Sequence, residues 1–317
     1  MPRAEVISKF LLALASTVFL FMSGISVPPL GVVLLPFVAQ PVLLFGLKYG
    51  MLGGLGILAA VFLLFVAFGA EELAFIYGLF AVMAALLLSF LGRIRAIEYL
   101  VGTTAAVMLS VTAGLSYYFF GSWAAIFQDL RASLTQQLEA AVRMQEKMGL
   151  PQDSLTMLQE QTPQIIDMML RLLPALLLLS FAFMVLINIL YLGRRFPDRR
   201  GAWFSLRFLR EWKAPEPLVW GLIACGFILF LSGSSLMGIV ALNLLLVIAA
   251  CYFGQGLAVI AFFFNKNNVP RFLRGLTYIL IIFQQIFTVL VVGLGLFDLW
   301  GDFRRLGKDR LTPSQAA

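Results

Sequence analysis

The sequence predicts an all-α fold: a polytopic transmembrane helical bundle of about eight to nine spans. Three observations carry that expectation. Of the 317 residues, 61% are hydrophobic and 12% are charged, against roughly 25% charged residues in an ordinary soluble domain. Mean hydropathy is +0.96, and a soluble core leaves too much of itself exposed to absorb that much apolar surface. The apolar residues also fall in runs close to the ~20 residues a helix needs to cross a ~30 Å hydrocarbon layer.

Nine such runs follow in order: residues 7–22, 30–47, 51–68, 73–91, 97–120, 169–192, 218–232, 237–264 and 276–299. Arg3 and Lys9 precede the first, and Pro28-Pro29 and further spans follow it, so it reads as a retained helix rather than a cleaved signal. The second is punctuated by Pro28, Pro29, Pro36 and Pro41. It ends in Lys48-Tyr49-Gly50, which leads into the glycines Gly50, Gly53, Gly54 and Gly56 of the third. Prolines in a membrane helix free backbone carbonyls, which is tolerated where a neighbouring helix or a cavity takes them. Small residues spaced by four let helices approach closely, as in Ala81-x-x-x-Ala85 of the fourth. The eighth run contains Gly254-Gln255-Gly256 and is expected to be one long tilted helix, since residues 257–264 are too short to cross alone.

Two stretches are not spans. Residues 121–167 are polar with a helical stripe of Phe127, Leu130, Leu134, Leu138, Ala141 and Met148. Gly149-Leu150-Pro151 interrupts it, and Asp153 or Ser154 is placed to cap a second helix; an external amphipathic hairpin is expected. Residues 193–217 are the most basic part of the chain. On a helical wheel Leu206, Phe208, Leu209 and Trp212 fall opposite Arg200, Arg207, Arg210 and Lys213. That is an interfacial pattern, with Trp203, Arg207, Arg210, Trp212 and Lys213 as the membrane-interface residues. Anionic lipid headgroups, or another membrane or cytoplasmic protein, are the partners such a segment suits.

Charge placement gives the orientation. Lys and Arg gather in cytoplasmic loops, and Arg3, Lys9, Lys48, Arg93, Arg95 and the basic segment share a side if the N-terminus is inside. The last third leaves two arrangements: nine crossings put 15 of the 23 Lys and Arg inside, and a fold-back within the eighth run puts 16 inside. The organisation expected is a six-span bundle over residues 1–192, the basic segment 193–217, C-terminal spans over 218–300 and a polar tail, 301–317.

The chemistry the sequence excludes is extensive. There is no histidine, so imidazole catalysis, His-ligated metals and imidazole pH switches are absent. Cys225 and Cys251 both sit in apolar runs, with no metal or disulfide spacing. No catalytic set, metal or cofactor is expected, and no nucleic-acid motif accompanies the net charge of +7. The acids Glu98, Asp167 and Asp298 fall near predicted span ends rather than at span centres. What the interior offers is neutral: Gln40, Thr103, Asn188, Asn243, Gln255 and Gln284, each read either as helix-to-helix glue or as lining for an uncharged or zwitterionic ligand.

The order of these features resembles the YybS-like family of bacterial integral membrane proteins, a family of unknown function. The stretches that carry the likeness are Leu47-Lys48-Tyr49-Gly50, Gln255-Gly256-Leu257-Ala258-Val259-Ile260-Ala261-Phe262-Phe263, and Leu294-Gly295-Leu296-Phe297-Asp298-Leu299-Trp300-Gly301-Asp302-Phe303-Arg304. More distantly, the first six spans look like the substrate-binding S-components of energy-coupling-factor transporters and like rod-shape proteins of the MreD type. Those resemblances imply a six-helix bundle in a bacterial inner membrane, with both ends of that bundle cytoplasmic. The S-component coupling motif, Ala-x-x-x-Ala in the first helix, is present only as Ala13-x-x-x-Thr17. Two functions therefore stand: a small-molecule binding or transport subunit, and a membrane scaffold recruiting cell-envelope or cytoplasmic partners.

Overall fold

A computed structural model describes residues 3–91, 93, 96–147, 152–196, 206–232 and 235–304. Those residues form helices and connecting turns, with no β-strand among them. The fold is an all-α polytopic transmembrane bundle. Among the described residues six helices are long and apolar enough to cross a membrane, or seven if one bent pair counts as a single span. All nine expected runs are helical, but the seventh and third are short and the ninth is broken.

Contacts divide the chain into two compact units. The first comprises Met1–Ile166 and Leu176–Phe204. Helix α1 (Arg3–Ser26) ends where Val27 takes an extended conformation ahead of Pro28, as the residue before a proline must. The second span is irregular: α2 (Pro28–Leu34), a 3-10 turn (Leu35–Phe37) and α3 (Gln40–Tyr49) follow one another, with Pro36 in the turn and Pro41 in the first turn of α3. Gly50, at φ 117°, turns the chain into α4 (Met51–Ala67), a conformation that only glycine adopts without strain. Then come α5 (Glu71–Phe90), α6 (Ile97–Phe120) and α7 (Trp123–Lys147).

Phe21, fully buried, fastens this unit together. Its ring lies 5.3 Å from Phe65 of α4, and 5.5 and 6.0 Å from Tyr77 and Phe80 of α5. Edge-on aromatic pairs of this kind add ~0.5–1.5 kcal/mol beyond the area they bury. The same face of α1 buries Ala13 and Thr17.

Helix α8 (Gln152–Arg195) corrects the expected external hairpin. It runs unbroken into the sixth span, so the second arm of the hairpin is that span's own extension. Asp153 and Ser154 already lie within the helix, and the Gly149-Leu150-Pro151 break falls outside the described residues. The inward stripe of α7 is also shifted: Ile126 and Val142 are buried, Leu130, Leu134 and Leu138 are half-buried, and Phe127 and Ala141 are exposed. Met148 lies outside the described residues.

The second unit comprises Asp167–Ala175 and Ser205–Ala317. It thus takes a short stretch of α8 and the second part of the basic segment, dividing the chain differently from the linear domains expected. Its described helices are α9 (Leu206–Glu211), α10 (Leu218–Ser232), α11 (Leu236–Lys266), α12 (Arg271–Phe283) and α13 (Gln285–Gly301). Helix α11 is continuous through Gly254-Gln255-Gly256, as the length argument required.

The run 276–299 is not one span. The chain turns by 104° between α12 and α13, and Thr288 Oγ1 donates across the break to the Ile281 carbonyl at 2.8 Å. The interfacial helix also ends earlier than the wheel implied. Among the described residues between 197 and 217, Leu206–Glu211 is helical; Pro215 and Pro217 follow closely, and Trp212 and Lys213 lie beyond its end.

Helices α11 and α13 pack backbone to backbone. A Cβ on Gly295 would run into the Tyr252 carbonyl oxygen, and one on Gly256 into that of Val291. Around this crossing Ala214, Cys225, Ala241, Ile248 and Tyr252 form the unit's apolar core.

Candidate functional site

Three polar knots hold most of the neutral residues that the sequence singles out. The first is in the first unit, at the break in the second span. Asn188 of α8 donates from Nδ2 to the Pro36 carbonyl at 2.8 Å and to the Met184 carbonyl at 2.7 Å. Gln40, the first residue of α3, donates from Nε2 to Asn188 Oδ1 at 2.8 Å and to the Asn188 carbonyl at 3.1 Å. Both side chains are buried. A carbonyl at an irregular, proline-containing turn is thus satisfied by a neighbouring helix, and Gln40 in turn donates to the Asn188 carboxamide. Gln40 Oε1 is buried without a partner.

The second knot is Asn243 of α11. Its Oδ1 accepts from the Ala175 N–H at 2.9 Å, and its Nδ2 donates to the Arg171 carbonyl at 2.7 Å and to the Ile239 carbonyl at 2.9 Å. Ala175 N–H and Arg171 C=O are the i and i−4 groups that pair with each other in a regular helix. One carboxamide therefore meets both ends of a single helical bond, next to Pro174, which has no N–H of its own. Both sides of this knot lie in the second unit, which includes residues Asp167–Ala175 of α8.

The third knot is the most polar. Gln255 of α11 accepts at Oε1 from the Ala214 N–H at 3.0 Å and donates from Nε2 to Asp298 Oδ2 at 3.0 Å. Asp298 pairs with Arg304 at 2.6 Å, both side chains being fully buried. The chain reaches this geometry because Asp302 takes a left-handed conformation after α13 (φ 36°) and turns Arg304 back. Arg304 Nη1 then donates to the Arg210 and Trp212 carbonyls at 2.7 and 3.0 Å. At the margin Lys213 pairs with Asp302 at 2.7 Å, both about one-third exposed. Asp298 Oδ1, Arg304 Nε and the Tyr252 hydroxyl are buried without partners.

Two of the six neutral residues lie elsewhere. Thr103 is exposed and hydrogen-bonds back to its own helix at the Tyr99 carbonyl; Thr104, one step round α6, is the buried one. Gln284 is exposed at the bend between α12 and α13. Of the interface residues, Arg210, Trp212 and Lys213 belong to the third knot, through main-chain carbonyls and one ion pair. Trp203 and the Arg207 side chain lie outside the described residues.

Asp298 and Arg304 are the residues that residue-by-residue reading missed, since an acid near a span end is unremarkable. The two lie in the string Leu294–Arg304, and Gln255 opens the string Gln255–Phe263. Those two strings are the ones that meet here.

Two hollows lie on the described surface. One, of about 390 Å³, runs along Arg210, Glu211, Phe262 and Asn265. Another, of about 410 Å³, lies on the outer face of α1 at Ala15, Ser16, Phe19 and Leu20. Neither is lined by Gln40, Asn188 or Asp298.

Fold and knots together define a multi-pass, all-α membrane protein whose buried polar groups join helix to helix. Residues 15–299 match the family described as "Predicted membrane protein (DUF2232)", and the chain belongs to that family. No curated protein and no solved structure matches it.

Proposed function

We propose that this protein is a membrane scaffold: a non-enzymatic, multi-pass bundle in a bacterial inner membrane that recruits cell-envelope or cytoplasmic partners. The observation that carries the reading is the closure of Gln40 onto Asn188 and of Asn188 onto the Pro36 carbonyl. The freed Pro36 carbonyl of the irregular second span is taken by a neighbouring helix, and neither of the two hollows described above is lined by Gln40 or Asn188. Two further points support it. Ala13 and Thr17, the positions of the transporter coupling motif, are buried in the first unit and so are not presented to a coupling subunit. The main chain at Arg210 and Trp212 is pinned by Arg304, which fixes the C-terminal end of the basic segment for a partner to meet. The N-terminus and basic segment are placed in the cytoplasm by charge placement, where anionic headgroups also lie. The finer likeness to YybS-like proteins fits this assignment.

Small-molecule binding is the second reading, favoured by one observation: Gln40 Oε1 is buried and has no partner. The substitution Gln40→Leu separates the two. Under the scaffold reading it lowers bundle stability by ~1 kcal/mol, read as an earlier midpoint in detergent unfolding, and leaves the co-purifying proteins unchanged. Mass spectrometry of the wild-type protein from native membrane should find partner proteins and no stoichiometric small molecule. A bound molecule that Gln40→Leu releases would reverse the assignment.

A further inference from the structure

We infer that α12 does not cross the membrane but lies in its surface, with one apolar face sunk into the boundary between headgroups and acyl chains. Its 13 residues reach ~20 Å, short of the ~30 Å a crossing needs. The chain turns by 104° on leaving it, so α12 and α13 are not the two halves of one straight crossing. The residues sort by face accordingly. Phe272, Leu276, Ile279, Leu280 and Phe283, spaced by three and four, are all exposed, with Phe272 at 80% and Phe283 at 83%.

The opposite face is fixed to α11. Arg274 donates from Nε to the Val269 carbonyl at 2.8 Å and from Nη2 to the Phe264 carbonyl at 3.0 Å. It thereby satisfies acceptors at the C-terminal end of α11, where a cation is also favoured by the helix dipole. Tyr278 packs its ring 5.9 Å from that of Phe264, and Ile281 is buried. A helix with cations and hydroxyls towards the protein and a bare apolar stripe away from it has the pattern of an interfacial helix. Its occupant is the bilayer, because α12 is joined directly to two strongly apolar helices: α11, itself long enough to span, and α13. Any membrane that holds those two reaches the stripe between them.

The test uses the full chain in phosphatidylcholine–phosphatidylglycerol nanodiscs. Single cysteines at Phe272→Cys, Leu276→Cys, Ile279→Cys and Phe283→Cys, on a Cys225→Ser, Cys251→Ser background, carry an environment-sensitive fluorophore. All four positions are exposed, so the substitutions leave the packing alone, and Leu244→Cys in α11, also exposed, gives a reference within the membrane. The expected result is one shared shallow depth: quenching about twofold stronger by lipid spin-labelled near the carbonyl than by lipid labelled near the chain end. A depth that increases steadily from Phe272 to Phe283 overturns the inference in favour of a span. Quenching by aqueous iodide in place of lipid, or by neither, overturns it in favour of a free or protein-covered face.

Discussion

At the scale of single residues, the buried polar groups divide by what their removal strands. Asn243→Leu takes away the bonds to Ala175 N–H and Arg171 C=O, but those two groups can then pair with each other along α8. The expected loss is therefore modest, ~1 kcal/mol, seen as an earlier unfolding midpoint in detergent. Gln284→Leu, at an exposed position, should stay within about 0.5 kcal/mol of wild type. Asp298 and Arg304 behave differently, because removing one leaves the other as an uncompensated buried charge. Arg304→Met should cost ~3–5 kcal/mol, and the double variant Asp298→Leu, Arg304→Met should recover much of that, since a buried pair is often matched by apolar residues of similar volume. A double-mutant cycle on the same unfolding signal measures the coupling; strict additivity would refute the buried pairing. Composition marked Gln40, Asn188, Asn243 and Gln255 because an amide in an apolar run has to find a partner. It could not choose Thr104 over Thr103, which lie 100° apart on a helix whose inward face is set by its neighbours. Nor could it find Asp298, whose burial depends on a turn at Asp302 beyond the end of the helix.

Elements were legible where length and proline decide them. The second span breaks at Pro36 and α11 stays whole because half of it could not cross alone, whereas the wheel carried α9 past its end at Glu211. The break at Gln284 was hidden: Ile281-Ile282-Phe283-Gln284-Gln285-Ile286-Phe287 has neither glycine nor proline, and hydropathy sums are blind to direction. The cause lies in Arg274 and Tyr278, which hold α12 against the end of α11. The readable trace was the one-sided placement of Arg271, Arg274, Thr277 and Tyr278 along that helix. The α11–α13 crossing makes a sharper claim. Gly256→Ala and Gly295→Ala each put a methyl into a carbonyl of the facing helix, and relief requires the two backbones to separate. Gly226→Ala and Gly293→Ala meet nothing within 4 Å. The first pair should each cost ~1–3 kcal/mol as overpacked sites, while the second pair should be neutral or mildly stabilising through better helix propensity. Equal effects from all four would mean that the close crossing is absent.

For the whole molecule the open quantity is which loops share a side of the membrane. Composition gave the class at once, and the Lys and Arg count oriented the first six spans, but a difference of one residue left the C-terminus undecided. The third knot bears on that choice. Lys213 of the basic segment pairs with Asp302, and Arg304 holds the Arg210 and Trp212 carbonyls, so the end of α13 and the basic segment lie together. With α12 in the membrane surface, the run 276–299 no longer has to count as a full crossing. Single cysteines at Ala4, Ala140, Pro215 and Phe303, on the Cys225→Ser, Cys251→Ser background, test this with a membrane-impermeant maleimide on inverted and right-side-out vesicles. Ala4, Pro215 and Phe303 should label from the cytoplasmic side and Ala140 from the opposite one. The Ala140 result follows from the acidic Glu71-Glu72 turn and the sparsely basic α7 lying away from the positive loops. Labelling of Ala140 from the side that labels Pro215 would break the six-span arrangement. Labelling of Phe303 from the side opposite Pro215 would leave the Lys213–Asp302 pair spanning a bilayer, which a 2.7 Å contact cannot do, and would remove the third knot from the folded protein.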